Sequence, residues 1–356
     1  MMITFTGDLF LGNSGITIHP QILSIINESE LVASNFESVL ANDRLKRRAD
    51  KYSNLQYTNK SIENYHSLIR TNKLYSLANN HIHDLGVVGL ADTTNNLSNI
   101  HGVSCFGVVS LSEVRKPHIV SLDKKRIAFL AVSTEEPEVN SILAQENAIG
   151  VLDYNDPSIC GIIKSTKEVV DYVVVLPHWG LEYINYPAPM IRDKAKKWIE
   201  CGADIVIGHH PHVIQGSEEY MGKMIYYSLG NYIFPEFYNK VGVLKKWQKE
   251  NCHSMLLKVS FSDKISIKEV GLFYDTKKHE LHPSIKSIEM LKEYSLILDN
   301  RTYNKKQYYG YYQEKLYRKL KHDLSIYQRF KKIVWAKRKN KSNLMYFCGR
   351  IKKKLF

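Results

Sequence analysis

The sequence predicts an α/β fold, in which strands and helices alternate along the chain. Two observations lead to this prediction. Short apolar runs bounded by turn residues alternate with segments whose apolar side chains recur at helical spacing. In addition, polar residues stand repeatedly just where a predicted strand stops, as expected if several strands of one sheet end at a common, ligand-binding edge.

The predicted strands are short runs rich in β-branched and other apolar residues. The clearest is Tyr172–Leu176, an unbroken Tyr-Val-Val-Val-Leu run. The last two strands form a hairpin around the turn Ser262-Asp263-Lys264. In chain order the predicted strands are Ile3–Thr6, Leu31–Ser34, Leu74–Ala78, Val103–Phe106, Arg126–Val132, Tyr172–Leu176, Ala203–Ile207, Lys223–Leu229, Ser254–Phe261 and Ile265–Tyr274.

The predicted helices fill the intervals between these strands. In the first of them Ser61 is the expected N-cap, because an apolar stripe at helical spacing follows it. The helices are Ser61–Thr71, Val88–Asn99, Ser158–Val170, Pro189–Glu200 and Leu281–Leu298. Two segments show no clear periodicity: the polar, basic Asn42–Asn59, expected to cross the surface near the substrate, and the acidic Thr134–Asn155.

The composition is that of an ordinary soluble protein, with 44% hydrophobic and 24% charged residues among 356. No apolar run reaches the about 20 residues that cross a bilayer. Met1–Thr6 enters a strand without a preceding basic segment, which argues against a signal peptide. The five cysteines stand singly, as is typical of reduced thiols in the cytoplasm. We therefore expect a cytoplasmic protein whose thiols are free.

The net charge of +13 is concentrated at the C-terminus. Residues 301–356 contain 18 Lys and Arg against two acidic residues, a net charge of +16, whereas residues 1–300 carry 31 against 34, a net charge of −3. This division predicts two units: a main domain over residues 1–299 and a basic, largely helical tail over residues 300–356.

Apolar residues recur at helical spacing within Tyr311–Lys337, and lysine and arginine occupy most other positions. A basic amphipathic helix of this kind is expected either to lie on an anionic membrane or to pack on the body by its apolar stripe. Nucleic acid is a less favoured partner, because no recognition motif accompanies the charge.

Three histidines stand close together within Gly202–Gly216. Ala203–Ile207 predicts a buried strand, and His209, His210 and His212 follow it in a tight loop. Imidazole is the commonest side-chain ligand of divalent transition metals. The position after a buried strand favours a metal-binding role over a chance His-rich surface loop, with His209 the weakest candidate of the three.

Other predicted strands also end in residues that bind metals. A site of carboxylate, amide oxygen and imidazole ligands suits Mn²⁺, Fe²⁺, Zn²⁺ or Mg²⁺. The number of candidates exceeds what one tetrahedral ion needs and would serve two ions about 3.5–4 Å apart, although a mononuclear site stays open. The predicted metal ligands are Asp8, Glu37, Asn80, His178, His210 and His212.

His81 and Asp84 are the predicted catalytic residues. His81 directly follows the expected ligand Asn80, where it could protonate a leaving alkoxide while Asp84 orients its ring. Asp84 could equally cap the helix that begins near Gly86, and both roles can hold at once.

Six motifs spread over residues 3–234 contain these candidate residues. They are Gly7-Asp8-Leu9-Phe10-Leu11-Gly12, Asn35-Phe36-Glu37, Ser76-Leu77-Ala78-Asn79-Asn80-His81 with Asp84 and Gly86, His178-Trp179-Gly180-Leu181-Glu182-Tyr183, Gly208-His209-His210-Pro211-His212-Val213-Ile214-Gln215-Gly216 and Ser228-Leu229-Gly230-Asn231-Tyr232. Taken together, these motifs resemble the CapA-type family of capsule and poly-γ-glutamate biosynthesis proteins, a branch of the calcineurin-like metallophosphoesterases. The resemblance implies a four-layer α/β/β/α sandwich with a dinuclear metal site and the six ligands above. Two motifs depart from typical metallophosphoesterases: Asp8-x-Phe10 replaces Asp-x-His, and Asn35-x-Glu37 stands where Gly-Asp-x-x-Asp is usual.

The expected function is that of a metal-dependent hydrolase, most simply a phosphoesterase, in capsule or surface-polysaccharide synthesis. Its substrate would be a phosphorylated saccharide, a lipid-linked intermediate or a polymer, and residues 311–356 would contact the inner face of the membrane. One alternative is an amide or acyl hydrolase or transferase that acts on a polyglutamate-like polymer. Another is a non-catalytic scaffold of a membrane polymer synthase, which would not need six converging polar residues.

Overall fold

A computed structural model describes residues 1–51, 53–136, 139–239 and 241–299, together with residues 303, 307, 308 and 310. Met1–Arg301 forms one compact unit. The predicted helix within Tyr311–Lys337, and almost all of the predicted tail, lie outside the described residues. Within those residues, no helix is both long and apolar enough to span a membrane.

Strands and helices alternate through the compact unit as predicted. The strands are β1 Met2–Leu9, β2 Thr17–Ile18, β3 Leu31–Phe36, β4 Val39–Leu40, β5 Gln56–Tyr57, β6 Asn72–Ser76, β7 Val103–Phe106, β8 His118–Leu122, β9 Lys125–Val132, β10 Tyr172–Pro177, β11 Ile205–Ile207, β12 Ser217–Tyr220, β13 Lys223–Tyr226, β14 Asn231–Ile233, β15 Phe237–Tyr238, β16 Leu244–Lys245, β17 His253–Phe261, β18 Ile265–Asp275 and β19 Glu280–Pro283. The helices are α1 Pro20–Asn27, α2 Asn59–Leu68, α3 Gly86–Ser98, α4 Leu111–Val114, α5 Ile159–Lys167, α6 Pro189–Glu200 and α7 Ile285–Asp299.

Most strands belong to two sheets. The larger has the order β2-β19-β18-β17-β1-β3-β6-β7, with β14 paired to the end of β1. The smaller has the order β12-β13-β11-β10-β9-β8. β1, β3, β6 and β7 run parallel in the first sheet, and β9, β10, β11 and β13 run parallel in the second. The carboxyl ends of neighbouring parallel strands lie together, so the residues that follow them meet.

The sheets and helices form four layers, which confirms the predicted α/β/β/α sandwich. Alternate residues of a strand point to opposite faces. In β3, Leu31 and Ala33 face the apolar core between the two sheets, whereas Val32 and Phe36 face the core that α1, α2 and α3 cover. α5 and α6 pack on the smaller sheet against β10 and β11. Because β3 is covered on both faces, its residues are buried throughout.

Several predicted element boundaries differ from those of the structure, and two of the differences have a clear physical cause. The first long helix begins at Asn59 rather than Ser61, because Thr58 is the N-cap and forms a reciprocal capping box with Ser61. The last predicted helix begins at Ile285, because the preceding residues form β19, an antiparallel neighbour of β18. β19 has four residues, too few for the alternation of a strand to be distinguished from the start of a helix.

The expectation that all cysteines are reduced is also wrong. Cys160 in α5 and Cys201 at the end of α6 form a disulfide, with Cα atoms 5.4 Å apart. The two residues are 41 positions apart, so only the packing of the two helices brings them together. Cys105 and Cys252 are free, and Cys348 lies outside the described residues. Because disulfides persist in oxidising compartments, the cysteines no longer support a cytoplasmic location.

Candidate metal centre

Asp8 and Glu37 reach the centre from the larger sheet. Asp8 is in register with Asn35 of β3 and with Asn231 of β14, since all three strands run parallel at this edge. Glu37 directly follows β3, and both carboxylates are fully buried. Asn80 lies four residues beyond the end of β6, the next strand of the sheet.

The smaller sheet contributes histidines from two neighbouring loops. His178 directly follows β10 and bridges to His209, which lies beyond β11. His210 and His212 have φ angles of 97° and 56°, a left-handed conformation that costs about 1–3 kcal/mol for residues other than glycine. Glycine at position 208 lets the start of this loop lie directly against the backbone after β13, because a Cβ there would lie 2.1 Å from the Tyr227 carbonyl oxygen. This strained loop directs the imidazoles of His210 and His212 towards Glu37.

Four other predicted ligands converge on the Glu37 carboxylate: Asp8, His178, His210 and His212. Its Oε1 lies 3.6 Å from His212 Nε2 and 3.9 Å from His178 Nε2. His212 Nδ1 lies 3.6 Å from Asp8 Oδ2. Ligand atoms of Asp8, Glu37 and His178 lie within 4.8 Å of one another, and so do those of Glu37, His210 and His212. The amide oxygen of the sixth, Asn80, lies 3.0 Å from His178 Nε2. Glu37 is thus common to two sets of three donors.

The charge balance of the centre fits a divalent cation. Glu37 Oε1 is buried and accepts no hydrogen bond from any described residue. Burial, and then the negative charge of Asp8, raise the pKa of Glu37 well above its usual value. Burial, followed by the neighbouring His210, lowers the pKa of His178 well below its usual value, which leaves the neutral imidazole that binds metals. Carboxylate, amide and imidazole donors suit Mn²⁺, Fe²⁺, Zn²⁺ or Mg²⁺.

Two asparagines that sequence reasoning did not assign to the site orient its ligands. Asn35 Nδ2 donates to Asp8 Oδ1 at 2.8 Å and to Glu37 Oε2 at 3.4 Å. Asn231 Oδ1 lies 2.8 Å from His212 Nδ1. Each belongs to a motif at a strand end, but that sequence signal is shared with ordinary turn residues. A hydrogen bond from a neighbouring residue to a metal ligand fixes the orientation of that ligand.

His81 and Asp84 form a buried pair beside these ligands. His81 Nδ1 lies 2.6 Å from Asp84 Oδ2, and His81 Nε2 lies 3.9 Å from Glu37 Oε1. Burial lowers the pKa of His81, while Asp84 acts in the opposite direction. The helix-cap alternative for Asp84 is not seen: Leu85 is the N-cap, and the bonded Asp84 oxygen accepts from the Leu55 backbone N–H at 2.7 Å.

His209 and Trp179 point into the body rather than towards the ligands. His209 Nε2 lies 3.1 Å from the Thr6 carbonyl oxygen. Trp179 is fully buried, donates to the Tyr227 carbonyl at 2.9 Å and stacks on Trp198. Both side chains therefore interact with the backbone of neighbouring segments, His209 with Thr6 in β1 and Trp179 with Tyr227 after β13.

Three aromatic side chains pack against His212, and of these the sequence pointed only to Tyr183. The Phe234 and Trp247 rings have centroids 5.0 and 5.7 Å from the imidazole. Tyr183 is stacked at 6.2 Å. These contacts help to hold His212 in its strained conformation.

Comparisons with known proteins identify a family of similar sequences. The family model described as "Bacterial capsule synthesis protein PGA_cap" matches residues 3–236. The chain is 31% identical over 243 residues to the PGA biosynthesis protein CapA of Bacillus subtilis and 29% identical over 251 residues to the capsule biosynthesis protein CapA of Bacillus anthracis. These matches cover 65% and 66% of this chain but only 63% and 60% of the two relatives.

More distant relatives and solved structures are also similar. A Mycobacterium tuberculosis protein named for an accessory part in polyglutamine synthesis is 29% identical over 185 residues, 49% of this chain and 48% of that protein. Among solved structures, a 5′-nucleotidase precursor from Thermus thermophilus superposes with a TM-score of 0.39 at 16% identity, covering 84% of this chain and 59% of that one.

Proposed function

The chain belongs to the bacterial capsule synthesis protein family PGA_cap, and from that premise we propose that it is a metal-dependent phosphoesterase in capsule or surface-polymer synthesis. The observation that carries this proposal is the position of Glu37. Its buried carboxylate belongs to both sets of three donor atoms, and one of its oxygens has no hydrogen bond within the described chain. A carboxylate shared in this way would serve two cations bound about 3.5–4 Å apart.

Asp8, Glu37 and His178 would hold one ion, and Glu37, His210 and His212 the other, with the Asn80 amide oxygen as a further ligand. When bound, such ions lower the pKa of a water molecule and stabilise negative charge on phosphoryl oxygens. Asn35 and Asn231 would keep the ligands oriented through their hydrogen bonds to Asp8 and His212.

His81 would supply the proton that the leaving alkoxide needs. Its Nδ1 faces Asp84, so its Nε2 is directed to the side on which Glu37 lies. Burial opposes protonation of His81, but Asp84 and the negative charge of a bound phosphate ester both favour it. The substrate would be a phosphorylated saccharide, a lipid-linked intermediate or a polymer.

The test is elemental analysis of the purified protein, combined with a panel of phosphate monoesters and diesters with and without a chelator. We expect bound divalent metal and hydrolysis that the chelator abolishes and added metal restores. Asp8→Ala should lose both, whereas His66→Ala, which removes a histidine bonded to Tyr75 outside the centre, should lose neither. A metal-free protein without chelator-sensitive hydrolysis would contradict the proposal.

Amide hydrolysis is the second candidate, because the similar M. tuberculosis protein is named for polyglutamine synthesis. The same metal centre could act on an amide carbonyl, whose developing oxyanion also needs a positive charge. Release of glutamate from polyglutamate peptides, without release of phosphate from any ester in the panel, would favour this activity. A metal-loaded protein inactive on both substrate classes would favour a scaffold.

A further inference from the structure

A strap of chain crosses the predicted catalytic pair. We define this strap as residues 48–51 and 53–55, and three hydrogen bonds hold it on Asp84. The Arg48 backbone N–H donates to the Asp84 carbonyl at 2.8 Å, and the Leu55 N–H donates to Asp84 Oδ2 at 2.7 Å. Asn54 Nδ2 donates to the same carbonyl at 3.2 Å. Lys51 therefore lies on a segment anchored on both sides to the residue that orients His81.

The Lys51 side chain is buried there, with only 7% of its surface exposed. Among the described residues its ammonium makes one hydrogen bond, to the Val139 carbonyl at 3.4 Å, and forms no ion pair within 4.0 Å. An ammonium group has three N–H donors. A buried cation so incompletely satisfied is costly unless a partner completes its shell.

The charges that act on Lys51 are those of the metal centre and its surroundings. Burial lowers the pKa of Lys51 to about 8, while Asp84, Glu182 and Glu37 act in the opposite direction. Lys51 in turn opposes the rise in the pKa of Glu37 that burial and Asp8 cause. Asp84 Oδ1 is buried without a hydrogen bond in the described chain, yet it does not come within ion-pair distance of Lys51.

We propose that Lys51 forms an anion-binding subsite beside the metal centre, which receives a second negatively charged group of the substrate. Within the described chain neither Asp84, which faces His81, nor Glu37, which faces the metal ligands, lies within 4.0 Å of the Lys51 ammonium. An anionic group of the substrate would supply that partner. The group is a carboxylate or a phosphate adjacent to the scissile group, since both offer oxygens to an ammonium. The inference rests on the proposed function only in naming this group as part of the substrate.

The test is calorimetric titration of the metal-loaded protein with three probes. Methylphosphonate has one anionic group, phosphonoacetate adds a carboxylate, and pyrophosphate adds a phosphate. We expect the wild-type protein to bind at least one of the two larger probes about tenfold more tightly than methylphosphonate, the gain of one charge-assisted hydrogen bond. Tighter binding of phosphonoacetate would identify the second group as a carboxylate, and tighter binding of pyrophosphate would identify it as a phosphate.

Lys51→Met should remove this tenfold gain and leave the affinity for methylphosphonate within about twofold. The matched control is Lys73→Met, which removes another buried lysine, one that donates to the Ile69 and Thr71 carbonyls. It should leave all three affinities unchanged. Thermal unfolding and metal content of each variant show that the comparison is between folded, loaded proteins, and Lys51→Gln replaces Lys51→Met should that variant not fold.

Three results would overturn the subsite: no gain for either larger probe in the wild-type protein, a gain that persists in Lys51→Met, or an equal loss for all three probes in that variant. Failure of the proposed function appears separately, as absence of phosphate release from esters by the wild-type protein. A protein that shows the Lys51-dependent gain but no hydrolysis would keep the subsite and lose the phosphoesterase.

Discussion

Glu37 is the side chain on which the metal centre depends. Without a cation, its buried carboxylate is disfavoured by burial and by Asp8, so Glu37→Gln should not destabilise the metal-free protein. The same change should abolish the rise in melting temperature on adding Mn²⁺ or Zn²⁺, because a ligand at 100 times its Kd stabilises by about 2.7 kcal/mol. Glu113→Gln, at an exposed surface pair with Lys116, is the control. A full metal-induced rise in the melting temperature of Glu37→Gln would show that the metal binds at another site.

His81 is expected to affect chemistry rather than metal binding. His81→Ala should lower turnover about 10²–10⁴-fold on alkyl phosphates, the range for a lost general acid. The loss should shrink for a nitrophenyl ester, whose leaving group needs no proton. Metal content should match that of the wild-type protein. Equal losses on both esters would remove His81 from the role of acid.

The ligand candidates could be located from sequence because each follows a predicted strand. Asn35 and Asn231 were not assigned, since an amide that orients a ligand looks like any polar turn residue. The pairing of Cys160 with Cys201 was missed for a different reason: it depends on how two helices pack. Sequence position thus indicates which residues approach the centre, and only the fold reveals what holds them.

Among the secondary-structure elements, α6, β12 and α7 are joined by a buried ion pair. Arg192 Nε donates to Glu218 Oε1 at 3.0 Å, and Arg192 Nη2 donates to the Leu298 carbonyl at 2.9 Å. Arg192→Met should reduce the free energy of unfolding by about 3 kcal/mol, because it leaves a largely buried carboxylate without its main partner. Urea unfolding measures this as a lower midpoint at unchanged slope. Lys116→Met, at the exposed pair with Glu113, should change it by less than about 1 kcal/mol.

The effect of this ion pair should depend on pH in a defined direction. Burial alone would raise the pKa of Glu218, but hydrogen bonds from Arg192 and Tyr227 outweigh it and hold the pKa below the usual 4.5. A group with a lowered folded-state pKa stabilises the fold above its unfolded pKa and loses that contribution as pH falls through the folded value. The difference between wild type and Arg192→Met should therefore be full at pH 7 and shrink below about pH 4.5. A difference that grows in acid would contradict the assignment.

The disulfide joins α5 to the end of α6 across 41 residues. Cys201→Ser should lower the free energy of unfolding by about 2–4 kcal/mol under oxidising conditions, because a closed loop of this length restricts the unfolded chain. Cys160→Ser should cost the same, and the double variant no more than either single one. Identical stability of the wild-type protein with and without reductant would show that the bond does not form.

Element type was predictable wherever local pattern decides it. The run Tyr172–Leu176 is apolar because both faces of β10 are covered, and Pro189–Glu200 is amphipathic because one face of α6 packs on the sheet. β12 and β19 were missed, since each is a short strand whose partner gives it its structure. The order of strands within the two sheets likewise follows from long-range pairing and not from local periodicity.

Across the molecule, charge divides the chain into a body of −3 and a segment of +16 beyond residue 300. We propose that this basic segment contacts an anionic membrane surface. The protein should then co-sediment with vesicles that contain phosphatidylglycerol and not with purely zwitterionic ones. Binding should weaken steeply with added salt, because the attraction is screened within about 8 Å at physiological ionic strength.

Truncation after Asn300 separates this membrane contact from catalysis. The six ligand candidates all precede the cut, so the shortened protein should keep its activity on a small soluble ester while losing vesicle binding. Each basic residue near an anionic surface contributes about 1 kcal/mol, so replacing Lys352, Lys353 and Lys354 with glutamine should weaken binding without abolishing it. An insoluble truncated protein would indicate that Leu316, Leu320 and Leu324 pack on the body instead. A soluble one that still binds vesicles would place the membrane contact on the body and refute the role of the tail.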